Sequence, residues 1–306
     1  MPETAVLVQD VSKSYGSFKA VDDMRFDVRY GEIFAVIGPN GAGKSTMLRM
    51  ILDILKPDTG QIRVFGEPIN AAAKDKIGYL PEERGLYKNV NLLDMLVYLG
   101  QLKGMSRRDA RQKATHWLER LDLGEYLKKK VTALSKGMAQ KVQFVATILH
   151  EPRLLIVDEP FSGLDPVNTQ VLSDLVYEMK GEGRAIIMST HQMHQVEEMA
   201  ERVLMINRGQ RVVYGPVNTV RNDYASRAVE VVGQGDFSRL PGVTRVENGR
   251  RDTYTLFLDA QTEPDQIMRA LADGDYRVER FERALPGLAE IFIRVVGEGA
   301  APEVRT

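Results

Sequence analysis

Residues 38–46 read Gly38-Pro39-Asn40-Gly41-Ala42-Gly43-Lys44-Ser45-Thr46 and fill every fixed position of the pattern G-x-x-x-x-G-K-[ST]. Glycines let the backbone curl until successive N–H groups point inward, a nest for phosphate oxygens. The lysine of such a loop reaches the β- and γ-phosphates, and the hydroxyl after it ligates magnesium. The flanks agree with this reading. Residues 33–37 are apolar throughout and predict a buried strand, whereas residues 46–55 have helical spacing and put a positive helix end under the phosphates. Strand, loop and helix together imply binding of a nucleoside triphosphate with Mg2+.

Working outward, residues 5–31 alternate apolar and polar (Val6, Val8, Val11; Met24, Phe26, Val28), as antiparallel strands with one wet face do. Short strands follow near 61–65 and 76–80. From Leu92 to about residue 130 the spacing is helical, carried by Leu92, Leu93, Leu96, Leu99 and Leu102, then Ala114, Trp117, Leu118 and Leu121. Buried-strand runs return at 154–157, 185–188 and 203–206, with helices between them. This alternation predicts an α/β fold: a P-loop core on residues 1–220 with mixed β structure and a helical subdomain at 88–150. The pattern breaks around 215–223. Beyond it, strands at 228–232, 253–258 and 276–282 and helices at 264–272 and 286–296 predict a small α+β domain within 221–306, ending in a disordered tail from 297.

Composition narrows the function. Lys+Arg 41 against Asp+Glu 42 leaves a net charge of −1, so no global field favours nucleic acid or an anionic membrane, and no nucleic-acid partner is expected. Zero cysteines exclude a disulfide framework and thiolate chemistry. Met1-Pro2-Glu3-Thr4 lacks the basic and apolar pattern of a signal peptide. No apolar run approaches the roughly 18–20 residues of a membrane helix. Work at a membrane would need another protein.

A second motif supplies carboxylates. Leu154-Leu155-Ile156-Val157-Asp158-Glu159 is an apolar strand ending in two acids. Burying charge is costly unless it is paired or metal-bound, so the pair reads as chemistry rather than packing. Asp158 is placed to hold Mg2+ through water, and Glu159 to act as general base on the water that attacks the γ-phosphate.

With Leu134-Ser135-Lys136-Gly137-Met138-Ala139-Gln140-Lys141 added, the chain resembles the ATP-binding cassette (ABC) ATPases, whose signature loop this stretch matches. The resemblance covers roughly residues 5–220 in the family's order. It implies that Tyr15 stacks on adenine, that Ser162-Gly163-Leu164-Asp165 is the D-loop with Asp165 near the nucleotide, and that His191 is the switch histidine at the γ-phosphate. Pro39, Asn40, Gly41, Ala42 and Thr46 complete the phosphate loop. Ser135 and Gly137 precede a helical run at 139–149 and offer donors to an anion. His116, His150 and His194 have no motif around them and read as packing or surface residues.

Two departures from the family carry weight. Glu82, after Pro81, stands where glutamine is usual; a carboxylate can join Ser45 and Asp158 at the metal but adds negative charge near the γ-phosphate, slowing hydrolysis or tying it to a loop rearrangement. Lys136 and Met138 replace a glycine and a glutamine. The wording Gly78-Tyr79-Leu80-Pro81-Glu82-Glu83-Arg84-Gly85-Leu86-Tyr87 is similar to bacterial sodium- and drug-efflux cassettes, which end in a small C-terminal domain.

The resemblance also implies partners. In the family's geometry ATP is held between Lys44 of one copy and Ser135 of another, so a second copy or a homologous cassette is expected. A separate membrane-spanning permease would seat a short helix between loop 82–87 and segment 92–130, with Arg84, Leu86 and Tyr87 as contacts, and would hold the chain at the cytoplasmic side of the membrane. Lys128-Lys129-Lys130 reads as a wet helix end. ATP hydrolysis coupled to export is the implied activity. The alternatives are a soluble ABC ATPase acting on ribosomes or nucleic acid, and a regulatory nucleotide-binding module without turnover. Against the first, the chain holds one cassette and no sustained heptad run.

Overall fold

The computed structural model describes residues 3–83, 85–87 and 89–297. The expected contact Arg84 and the expected tail beyond 297 lie outside them. The chain divides into two compact units, one running to Pro216 and the other beginning at Val217.

The first unit is built on a six-stranded sheet in the order Gln210–Pro216, Arg202–Asn207, Ile33–Ile37, Ala185–Thr190, Leu154–Asp158, Ile77–Leu80. Every neighbouring pair is parallel except the first. Ile33–Ile37, Leu154–Asp158 and Ala185–Thr190 are buried along their whole length. Strands covered on both faces need apolar residues at every position, which is why these runs do not alternate. Register then assembles the chemistry: Ile37 pairs with Thr190 and Asp158 with Ser189. Three strands thus end together, and the residues that follow them, Gly38, Glu159 and His191, meet at one edge. In open α/β sheets this carboxyl edge is where ligands bind.

A second, antiparallel sheet runs Phe18–Arg29, Thr4–Tyr15, Thr59–Val64, Glu67–Pro68. Its alternating face, with Val6, Val8, Val11, Met24, Phe26 and Val28, packs with Phe34, Val36 and Met47, Leu48 and Ile51 of helix Lys44–Ile51 in one core. Each such side chain contributes about 1.5–3 kcal/mol on burial. That helix is shorter than the expected 46–55: it starts at Lys44 and stops at Ile51, because Asp53 turns into left-handed backbone at φ 57.

The helical segment consists of Leu92–Leu102, Arg107–Arg120 and Lys136–Ile148, capped by Asn91, Ser106 and Ser135, whose side chains accept from the N–H of Leu93, Asp109 and Met138. The last helix begins at Lys136, earlier than the run expected at 139, so Gly137 lies inside its first turn. Leu102, counted in the apolar series, is 61% exposed.

The second unit is an antiparallel sheet in the order Val243–Asn248, Thr253–Leu258, Ala228–Gln234, Arg277–Arg283. Helix Pro264–Asp273, with its Glu263/Gln266 capping box, contributes Ile267 and Leu271 to a core with Val229, Val231, Phe237 and Leu256. Sequence reading missed the strands Gln210–Pro216 and Val243–Asn248 and the helix Val217–Asp223. Val243–Asn248 is an edge strand with no fully buried residue, so its alternation is too thin to register. No helix among the described residues is long and apolar enough to cross a membrane.

Candidate active site

The loop leaving Ile33–Ile37 makes its bends with Gly38 at φ 155, Gly41 at φ 77 and Gly43 at φ 109. The first and last of these have no room for a side chain, since a Cβ on Gly38 would strike the Ile206 carbonyl and one on Gly43 the Ala20 carbonyl. Pro39, Asn40 and Gly41 are exposed at the mouth, while Ala42 and Gly43 are buried. No side chain caps helix Lys44–Ile51, so its first-turn amides face the loop without an acceptor of their own. Lys44 is 7% exposed, and its Nζ donates to the carbonyls of Gly38 at 2.8 Å and Pro39 at 3.1 Å. Burial lowers the Lys44 pKa, opposed by the nearby charges of Glu159, Asp158 and Glu82.

Those three carboxylates surround one ammonium. Burial raises the Asp158 pKa, the charges of Glu159 and Glu82 push the same way, and Lys44 lowers it. Glu159 occupies left-handed backbone at φ 49, a conformation that costs a non-glycine residue about 1–3 kcal/mol and clusters at functional sites. The surroundings hold it there. Its N–H donates to Ser189 O at 2.8 Å. Its Oε1 accepts from the His191 N–H at 2.9 Å and His191 Nδ1 at 2.7 Å, and its Oε2 accepts from Thr190 Oγ1 at 3.1 Å. A carboxylate accepts about four hydrogen bonds, so one position on Oε2 is left for a water. Because the carboxylate only accepts, His191 Nδ1 carries the proton of that contact, and Nε2 is directed elsewhere on a ring 57% exposed.

These residues fit a polyphosphate with one divalent cation. Three carboxylates against Lys44 leave negative charge uncompensated, and the uncapped helix start offers N–H donors. Among the described residues no three His, Asp or Glu converge as a metal cage. Mg2+ does not need one, since it is ordinarily held by one or two protein groups, waters and the substrate phosphates. Ser45, exposed at the helix start, and buried Asp158 are the residue types that could hold it, with Glu82 within electrostatic reach of Asp158.

The remaining expected residues fall in two places. Tyr15 ends its strand 49% exposed, paired in register with Phe18, itself 57% exposed. Ser135 caps helix Lys136–Ile148, and Gly137 abuts the side-chain amide of Asn168, which an added Cβ would displace. Asn168 in turn donates to Asp165 Oδ2 at 2.6 Å, and the Asn168 N–H to Asp165 Oδ1 at 2.9 Å. Asp165 therefore caps helix Pro166–Gly181. Of the other histidines, His150 Nε2 donates to Ile77 O at 3.2 Å and His116 packs edge-on against Trp117.

Sequence reading missed Thr190, Phe18, Gln140 and Gln143. The first two adjoin recognised elements. The glutamines are polar residues three apart within the buried face of a helix, and that placement was a readable signal.

Residues 21–162 match the ABC transporter family, and residues 215–296 match the C-terminal domain of DrrA1-3-like ATP-binding proteins. The uncharacterised ABC transporter ATP-binding protein YhaQ of Bacillus subtilis (strain 168) is 40% identical over 291 residues, 95% of this chain and 98% of that protein. The daunorubicin resistance ATP-binding protein DrrA3 of Streptomyces coeruleorubidus is 30% identical across 97% of this chain and 98% of its own. The Nod factor export ATP-binding protein I of Paraburkholderia xenovorans (strain LB400) is 30% identical over 97% of this chain and 98% of its own. A solved ATP-binding subunit of an ABC transporter superposes with TM-score 0.67 at 31% identity, covering 72% of this chain and 93% of that one.

Proposed function

The chain belongs to the ABC transporter family as an ATP-binding, ATP-hydrolysing subunit, and on that footing we propose that it powers a bacterial exporter through a separate membrane-spanning permease. The observation that carries this reading is coverage. Similarity to DrrA3 and to the Nod factor export protein runs through nearly all of each chain, the second domain included. The net charge of −1 gives ribosomal or nucleic-acid targets no electrostatic footing.

Two copies close on ATP. Lys44 leaves its carbonyl partners for the β- and γ-phosphates, joined by the amides at the start of its helix, while Tyr15 and Phe18 offer ring faces to adenine. Ser135 and Gly137 of the partner subunit approach the γ-phosphate from the other side, with Asp165 of the D-loop bracing that approach. Ser45, Asp158 and Glu82 would hold Mg2+, which when bound would supply positive charge against the phosphates. Glu159 accepts a proton from the water on its open Oε2 position as oxygen attacks γ-phosphorus and the bond to the bridging oxygen breaks. His191 keeps Glu159 oriented and turns its Nε2 to the phosphoryl group being transferred to water, as the nucleoside diphosphate leaves. Release of phosphate removes the contact that holds the two copies together, and the permease receives that opening.

Cassette subunits of this family pair with membrane permeases. Here the exposed rings of Tyr87 and Tyr98, edge to face at 6.3 Å, form an aromatic surface at the end of loop 82–87 that suits an incoming permease helix. The chain would then sit at the cytoplasmic face of the membrane. Purifying tagged Glu159→Gln chain with ATP from gently solubilised native membranes tests this. A stoichiometric polytopic membrane protein supports it; ribosomal proteins or nucleic acid in its place overturn it.

A further inference from the structure

Helix Lys136–Ile148 buries two amides, Gln140 at 4% and Gln143 at 5% exposure, among Val142, Phe144 and Val145. A buried amide is costly unless it is bonded, so its partners indicate what it is for. Gln140 Nε2 donates to the carbonyl of Pro160 at 3.1 Å, next to Glu159. Gln143 Nε2 donates to the carbonyl of Glu83 at 3.2 Å and lies 3.5 Å from that of Pro81. These two carbonyls bracket Glu82, whose own side chain is exposed. A single buried donor thus contacts the backbone on both sides of the residue that departs from the family's usual glutamine, while its own Oε1 has no partner among the described residues. The helix supplying that donor is fixed at its start by the Ser135 cap.

We infer that Gln143 is a positioning residue for Glu82: its amide aims the loop so that the Glu82 carboxylate meets the metal side of the bound nucleotide. This rests on the reading of Glu82 as a metal ligand given above. Partners that orient a ligating carboxylate typically cost roughly tenfold or more in metal affinity when removed. A purely structural amide would lower stability and leave metal affinity alone.

Gln143→Met removes the donor at nearly constant volume. Mn2+ binding in the presence of a non-hydrolysable ATP analogue, followed by electron paramagnetic resonance, is expected to weaken roughly tenfold. ATP affinity in EDTA is expected to be unchanged, and amide exchange of residues 79–83 to rise. In a Glu82→Ala background, Gln143→Met should weaken Mn2+ no further, because its effect passes through Glu82. Two results overturn the positioning role alone: unchanged Mn2+ affinity in Gln143→Met while Glu82→Ala weakens it, or losses that simply add. Unchanged Mn2+ affinity in Glu82→Ala overturns the metal reading of Glu82 and the positioning role with it. If Gln143→Met does not fold, Gln143→Asn, an amide one methylene short, is measured in the same way.

Discussion

Glu159 accepts three hydrogen bonds from Thr190 and His191 while standing at φ 49, so its carboxylate is aimed before any substrate arrives. Glu159→Gln keeps the shape and the Thr190 contact but cannot take a proton. Steady-state kinetics should show kcat lower by about 100-fold or more with ATP affinity intact. A rise in KM at constant kcat would instead make Glu159 a binding residue. His191→Ala removes the Nδ1 contact and leaves the backbone one, so kcat should fall by a smaller factor than in Glu159→Gln. The residues legible in the sequence at this scale were those whose chemistry is local. Gly38, Gly43, Lys44 and Ser45 announce phosphate because only that loop needs them in that order. For Gln143 the sequence offers its buried placement but not its role, because the carbonyls it meets lie some sixty positions away, at Pro81 and Glu83.

Among the elements, the buried strands were read correctly because a strand covered on both faces has to be apolar throughout, as Ile33–Ile37 and Leu154–Asp158 are. Val243–Asn248 obeys no such demand: it lies at a sheet edge, and Arg245 stacks 3.9 Å over the Phe257 ring, a contact that leaves no periodic trace. Helix Lys136–Ile148 separates structure from function in one experiment. Ser135 caps it, and asparagine caps a helix about as well as serine does. Ser135→Asn should therefore leave the thermal midpoint unchanged while the bulkier amide obstructs ATP-dependent pairing of two chains. Ser135→Ala should lower stability by about 1 kcal/mol in denaturant titration, the usual loss of a cap.

Across the first unit, Arg202, 7% exposed, joins three strands or their flanks: it donates to Asp27 Oδ1 at 3.0 Å and Glu32 Oε1 at 3.1 Å, and bonds the Tyr214 hydroxyl. Arg202→Met should cost about 3 kcal/mol, because it removes the ion-pair partner of buried Glu32, while half-buried Asp27 keeps its contact to Arg29. Burial alone would raise the Asp27 pKa, but hydrogen bonds from Arg202 and Tyr214 hold it down at about 2. Its stabilisation is complete above the ordinary aspartate value and is lost as pH falls toward about 2. His150 acts earlier. Burial, with help from the Lys103 charge, lowers its pKa to about 4, so its contribution is complete above the ordinary histidine value and is lost as pH falls from there toward about 4. Melting temperature should therefore decline through that window, and His150→Gln should flatten the decline. The claim on which everything above the single chain depends is that two copies close on ATP. Light scattering after gel filtration of Glu159→Gln tests it most directly. With ATP and Mg2+ the mass should be twice the 34.3 kDa of one chain, returning to one chain when nucleotide is removed. A mass that stays at one chain with ATP, or at two without it, would contradict ATP-driven closure.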